Sequence, residues 1–483
     1  MLPAKPLKNT LAVRLTTAAI PLSILCSFAF LARIDDLRLN IPVLILITAI
    51  VTILLVVYLY LNETFLNKNR RLRSPVVIIC IAVIIRLLFV FQPVQLSDDI
   101  FRYYIDGHQI ISGHNPYAAA PNAIATSTPY VSTILAKVNH PELVTIYPPA
   151  AQLVFAAGAL FKTLSGIRVL FVLFDIGTCV LIIILLKKNS IPISRSVLYA
   201  WHPLPVLEIA SSGHVDSAAL FFMCLGFLLI SVGKKPKSMT NQKSCGIISG
   251  FFFSCAFLTK LFPIVFLPVA FILVEKRQRV YFVSGFCAGC GVLTALFFPQ
   301  ILNAADTLET YTRNWEFSGF VFRLLRQITH SGDVARLILS GCFTSACMFI
   351  SIRFYVSKNE QQDTDNTAFT NAAKCCYCIS LCYLLLTPTL HPWYTLYMVL
   401  FLPFVPGPSG LTLSWAVFLG YYVLIPYTLL GVWEEMNHIP VLIFAAPVLA
   451  FVLKSLIPKS NGTAVNIKTT GFVKEQKRPQ RCM

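Results

Sequence analysis

Ile41-Pro-Val-Leu-Ile-Leu-Ile-Thr-Ala-Ile-Val-Thr-Ile-Leu-Leu-Val-Val-Tyr-Leu-Tyr-Leu61 contains no charged residue. At about 1.5 Å per residue such a run makes a helix of roughly 30 Å, the thickness of a bilayer's hydrocarbon core. A lone strand would leave backbone groups unpaired in lipid, so the run reads as a helix. Apolar runs flank it at Leu11 to Leu31 and Pro75 to Phe91, and others recur along almost the whole chain. With 56% apolar and 12% charged residues over 483 positions, and a mean hydropathy of +0.72, there is too little polar surface to cover a water-soluble globule.

The net charge of +18 raises the question of nucleic acid. The Lys and Arg are dispersed in short clusters between apolar runs, however, which is the pattern of membrane topology. All 15 cysteines fall in or beside apolar runs or in the tail, which implies no disulfide framework. The group Cys375, Cys376, Cys378 and Cys382 lacks His partners at ligand spacing and reads as packing.

Lys5, Lys8 and the cluster Lys68 to Arg73 place the N-terminus and the second connection in the cytoplasm. Residues 92–146 then emerge on the extracytoplasmic side. The run Ile167 to Leu186 ends at Lys187 and Lys188, which also belong in the cytoplasm, so Pro148 to Leu164 is expected to dip in and return. Ser196 to Ser211 and Val215 to Val232 form a hairpin that turns outside at Gly213-His214-Val215-Asp216. The next pair turns outside at Lys260. A second external loop spans 301–334, and Pro388 to Tyr394 and Glu434 to His438 are external turns. The expected architecture is an all-α polytopic membrane protein of about 13–14 transmembrane helices with extracytoplasmic amphipathic loop helices. Residues 1–458 form the membrane module. The basic segment 459–483 is expected to be a disordered cytoplasmic tail.

The first loop opens with Ser97-Asp98-Asp99 and continues through Arg102, Tyr103, Asp106 and Gly107 to Asn115-Pro116-Tyr117. At helical spacing Asp99, Arg102, Asp106 and Gln109 share one face and apolar residues the other, which predicts an amphipathic helix lying on the membrane surface with Ser97 as its N-cap. The two aspartates either cap that helix or serve as a general base at the water–lipid boundary.

These residues resemble the multi-span GT-C glycosyltransferases, in particular the bacterial polyprenyl-phosphate-mannose-dependent mannosyltransferases. The resemblance runs through Asp98-Asp99, Asp106-Gly107, Tyr147-Pro148-Pro149, Trp201-His202-Pro203, Gly213-His214-Val215-Asp216, Lys260 and His391-Pro392-Trp393-Tyr394. It implies a hexosyltransferase that moves a sugar, mannose by analogy, from a polyprenyl-phosphate donor to an extracytoplasmic glycan or glycolipid acceptor with inversion. The catalytic base would be Asp98 or Asp99, a choice left open. Lys260 would hold the donor phosphate, with Arg102, His214 and His391 as further donors, although a snorkelling lysine fits Lys260 equally. Asp106, Tyr147, Asp216, Trp393 and Tyr394 are candidate substrate contacts, Trp201 and Trp315 candidate stacking surfaces, and Arg86 either a second phosphate contact or a snorkelling side chain.

No third carboxylate follows the aspartate pair closely, so no metal and no other cofactor is expected. Nucleic acid is excluded as a partner, and the expected location is a bacterial inner membrane. The competing reading is a transporter or flippase of lipid-linked sugars, which should show internal repeats. The 97–117 segment has no counterpart in the second half.

Overall fold

A computed structural model describes residues 11–64, 74–124, 128–233, 239–360 and 365–456. The clusters Lys5/Lys8, Lys68 to Arg73 and Lys234 to Lys237, and the tail 459–483, lie outside the described residues. Among the described residues there is no β-strand. Isolated bridges alone join Phe317 and Ser318 to Thr389.

The chain is an all-α, multi-pass membrane protein. Seven helices are long and apolar enough to cross a bilayer, or eight if the pair Lys276–Ala295 and Gln300–Asn314, bent by 90°, is one span. Four shorter apolar helices accompany them. The expected count of 13–14 exceeds these in part because the first and third expected spans fall among the shorter helices, at Thr16–Leu31 and Pro75–Val90, and three further stretches read as spans are interrupted. At Pro203 and Pro205 the chain passes from a short helix into a π turn over Val206–Ser211. Around Pro263 and Pro392 it winds into 3-10 turns. Proline supplies no amide hydrogen and clashes with the preceding turn. Tyr199, Trp201, Leu207, Leu396 and Val399 in these stretches are fully buried or nearly so, which shows that the breaks are packed in protein rather than turned to lipid.

The first part of the chain forms α1 (Leu11–Leu31), α2 (Ile41–Thr64), α3 (Pro75–Val90), α4 (Asp99–Ile111), α5 (Pro129–Leu135), α6 (Pro149–Ala159) and α7 (Leu164–Lys188). With 11 residues, α6 is about 16 Å long, half of a crossing. It starts beside Leu258, whose carbonyl accepts the Ala150 amide at 2.9 Å. The chain just after it is held by the Tyr130 hydroxyl, 3.2 Å from the Leu164 amide, and by Arg168, which donates to the carbonyls of Gln92 and Ser211. Both ends of α6 therefore lie near the end of the bundle occupied by the first loop.

The other turns assigned to one side of the membrane gather there too. Leu37, between α1 and α2, donates its amide to Gln95. Asn303 donates to the Tyr117 carbonyl at 2.9 Å, the His140 and Trp315 rings lie 4.7 Å apart, and the Ser318 amide donates to Glu435 at 2.8 Å. These contacts assemble the loops into one cap over the bundle.

The amphipathic helix is found where expected, at α4, but its polar face does not lie in water. Asp106 is fully buried and Gln109 nearly so, because α6 packs across them. Gly107 permits this. A β-carbon there would sit 2.3 Å from the Phe155 carbonyl oxygen.

Candidate active site

Under the cap lies a cavity of about 870 Å³, within the range of about 300–1,000 Å³ usual for ligand sites. The start of α4 supplies its acidic wall. Ser97 Oγ accepts the Asp99 amide at 3.3 Å, but the helix begins at Asp99 and neither aspartate caps it. Asp98 instead pairs with Arg38 at 2.6 Å. Asp99 Oδ2 accepts from the Tyr147 hydroxyl at 3.3 Å and the Tyr103 hydroxyl at 3.4 Å.

Asp99 keeps 29% of its side chain exposed in the cavity, yet its pKa is raised above the ordinary carboxylate value. Burial by the surrounding protein is the main cause. Lys260 and the Tyr147 hydroxyl oppose it, while Asp216 and Asp98 add to it.

Lys260, at the turn after Met239–Phe257, supplies the cation. Its ammonium lies 3.6 Å from Asp216 Oδ2 and 5.1 Å from the centre of the Tyr147 ring. Asp216 is almost wholly buried, so the lysine is held by a fixed counter-charge and does not snorkel freely. The remaining wall is aromatic. Trp393 stacks on His391 at 4.3 Å, and the Tyr311 and Tyr394 hydroxyls meet at 2.6 Å.

Of the residues singled out from sequence, Asp98, Asp99, Arg102, Tyr147, Asp216, Lys260, His391, Trp393, Tyr394 and Trp315 line this cavity. Four do not. Asp106 is buried against Arg102 Nε at 2.8 Å and Gln152 Nε2 at 3.2 Å, a structural pairing. His214 is fully buried, stacked under Trp393 at 4.1 Å. Trp201 lies inside the bundle, donating to the Ile78 carbonyl at 3.0 Å. Arg86 is neither a phosphate contact nor a snorkelling side chain, because Asp175 holds it at 2.5 Å with both side chains fully buried. Burial, with Lys260 nearby, also depresses the pKa of both His214 and His391. Both are therefore poorer sources of positive charge for a phosphate than Lys260.

Sequence reasoning missed Arg38, Glu208 and Tyr421. Arg38 sits on the short connection between α1 and α2, on the side where the charge rule predicts few cations, and that was its signal. Glu208, an isolated acid in an apolar run, lies fully buried behind the cavity wall and accepts the Tyr421 hydroxyl at 2.8 Å. Among the described residues no group of three or more His, Cys, Asp or Glu side chains is placed to hold a metal ion.

Residues 145–381 match the family model of glycosyltransferase family 87. The match covers just under half of the chain and supports a glycosyltransferase. In a membrane protein, that suggests a lipid-linked sugar donor. The matched segment contains Tyr147, Asp216 and Lys260. It begins after the aspartate pair and ends before His391. No curated protein and no solved structure matched the chain.

Proposed function

We propose that this protein transfers a hexose, with mannose the first choice, from a polyprenyl-phosphate sugar to a glycan or glycolipid acceptor at the extracytoplasmic face of a bacterial inner membrane. The reaction is a single displacement with inversion. Asp99 takes the acceptor's proton as its oxygen attacks the anomeric carbon, and the lipid phosphate departs towards Lys260.

One observation carries this reading: a carboxylate of raised basicity and a half-buried ammonium line the same aromatic-walled cavity. Asp99 is preferred to Asp98 because Arg38 already engages the Asp98 carboxylate. Arg102 also lines the cavity, and its Nη2 has no hydrogen-bond partner, which makes it the second candidate for a substrate anion. Lys260 and Arg102 supply the positive charge that a divalent ion would otherwise bring, so transfer is expected to persist in EDTA.

The test is reconstitution in vesicles with radiolabelled polyprenyl-phosphate mannose and native membrane lipids as acceptors. Asp99→Asn is expected to lower kcat by about 10²–10⁴-fold, the usual worth of a general base, and Asp98→Asn by less. If the wild-type protein moves labelled lipid across the bilayer without transferring sugar from any polyprenyl-phosphate hexose, it is a flippase and the enzymatic reading fails.

A further inference from the structure

The buried part of the cavity wall carries two polar atoms that no other described residue satisfies. Asp216 and Tyr397 both line the cavity, with only 1% and 2% of their surfaces exposed. Asp216 Oδ2 and the Tyr397 hydroxyl each lack a hydrogen-bond partner. The hydroxyl lies beside the carboxylate without bonding it in ordinary geometry. The Lys260 ammonium, at 3.6 Å, stands just beyond bonding distance. A buried polar group left unpaired costs stability, and two of them on one cavity wall mark where a polar ligand completes the bonds.

The backbone fixes both side chains. Asp216 opens the helix Asp216–Gly233, directly after the turn at Gly213, whose φ is +79°. A β-carbon on Gly213 would meet Ile100 of α4 at 2.5 Å, so glycine lets this turn lie against the helix that begins at Asp99. Tyr397 follows the 3-10 turn Pro392–Thr395, and the Phe262 ring packs edge-on against it at 4.9 Å. Phe262 lies two residues after Lys260, so one short segment places the cation and buttresses the tyrosine.

We propose that Asp216 and Tyr397 read the hydroxyl at C2 of the donor sugar and so set which hexose is accepted. This rests on Lys260 holding the donor phosphate. That phosphate is attached at C1, whose two neighbours in the sugar ring are the ring oxygen and C2. A carboxylate only accepts hydrogen bonds, and the ring oxygen carries no hydrogen. The neighbouring group that Asp216 can bind is therefore the C2 hydroxyl, which donates to Oδ2 while its own oxygen accepts from Tyr397. One sugar hydroxyl thus satisfies both unpaired atoms, and no bond is made or broken at C2. The contact also suits the transfer step, because hydrogen bonds to the 2-hydroxyl strengthen as an anomeric carbon gains positive charge. Mannose and glucose differ at C2 alone, axial in one and equatorial in the other. A carboxylate fixed at this point separates them.

The test is donor binding by titration calorimetry on the full chain in detergent, without acceptor, which reads the sugar contact independently of transfer. The probes are polyprenyl-phosphate mannose, polyprenyl-phosphate glucose and their common 2-deoxy analogue, all of one anomeric configuration. The wild-type protein is expected to bind the better hexose donor about 10–100-fold more tightly than the 2-deoxy donor, as for a hydrogen bond to a charged group. Tyr397→Phe removes an unpaired hydroxyl and should shrink that ratio about two- to tenfold, with 2-deoxy affinity unchanged. Asp216→Asn should shrink it about tenfold. The phosphate is common to all three donors, so any change at Lys260 cancels from the ratio.

Equal affinity of the wild-type protein for hexose and 2-deoxy donors overturns the proposal, as does a ratio that neither variant lowers. If Asp216→Asn does not run as a monodisperse peak, Tyr397→Phe decides alone. If the ratio behaves as expected but the vesicle assay detects no transfer, the enzymatic reading falls and the C2 contact stands. If transfer is found and the ratio is flat, only the C2 contact falls. If no polyprenyl-phosphate hexose binds, both fall.

Discussion

At the scale of single residues, the two neighbouring aspartates have different surroundings and so different chemistry. Asp98 is paired with a guanidinium, whereas Asp99 is hemmed in by protein and two tyrosine hydroxyls. A base must be ionised to accept a proton. Because burial raises the Asp99 pKa, activity should fall on acidification at a pH above the roughly 3.9 of a free aspartate. A pH–rate profile of kcat/KM checks this. Lys260 holds that pKa down, so Lys260→Gln should move the acid limb upward. It should also cost about 1.5–3 kcal/mol of transition-state binding, roughly ten- to hundredfold in kcat/KM, through the lost contact to phosphate. A loss without the upward shift would mean that Lys260 is remote from Asp99 during turnover.

At the scale of elements, the site depends on α4 and α6 lying in backbone contact. The amphipathic pattern of α4 is legible in the sequence and by itself predicts a helix on the membrane surface. That reading used the polarity of Asp106 and Gln109 but could not know that Gln152 of α6 would meet Asp106. Gly107→Ala places a methyl group against the Phe155 carbonyl. It should destabilise the protein by about 1–3 kcal/mol, as overpacking does, and lower transfer by shifting Asp99. Thermal unfolding in detergent together with the vesicle assay measures both. The pair Arg86–Asp175 belongs to the same scale. It ties α3 to α7, and Arg86 also donates to the Ala200 carbonyl at 2.7 Å, beside the break before His202. Asp175→Ala strands a buried charge and should cost about 3–5 kcal/mol, read as a lowered unfolding temperature.

At the scale of the whole molecule, the contacts at the two ends of α6 keep the first loop and the start of α7 at one end of the bundle. Cysteines introduced at Lys137 and at Ser165 should therefore react with an impermeant maleimide from the same side of sealed vesicles. Labelling from opposite sides would show that α6 crosses the bilayer.

The sequence by itself determined that the chain spans a membrane in helices, because hydrocarbon admits few other ways to satisfy a backbone. The sign of the charges between apolar runs also indicates which turns gather at one end, and nine of the eleven catalytic and binding candidates read from the sequence line the cavity there. Tertiary structure alone decided which carboxylate is free, that Arg38 and Tyr421 belong to the wall, and that Asp106 and His214 stand behind it. These are matters of contact between segments 46 to 213 residues apart. Local pattern records which face of a helix is polar, while burial and pairing depend on what the rest of the chain brings against that face.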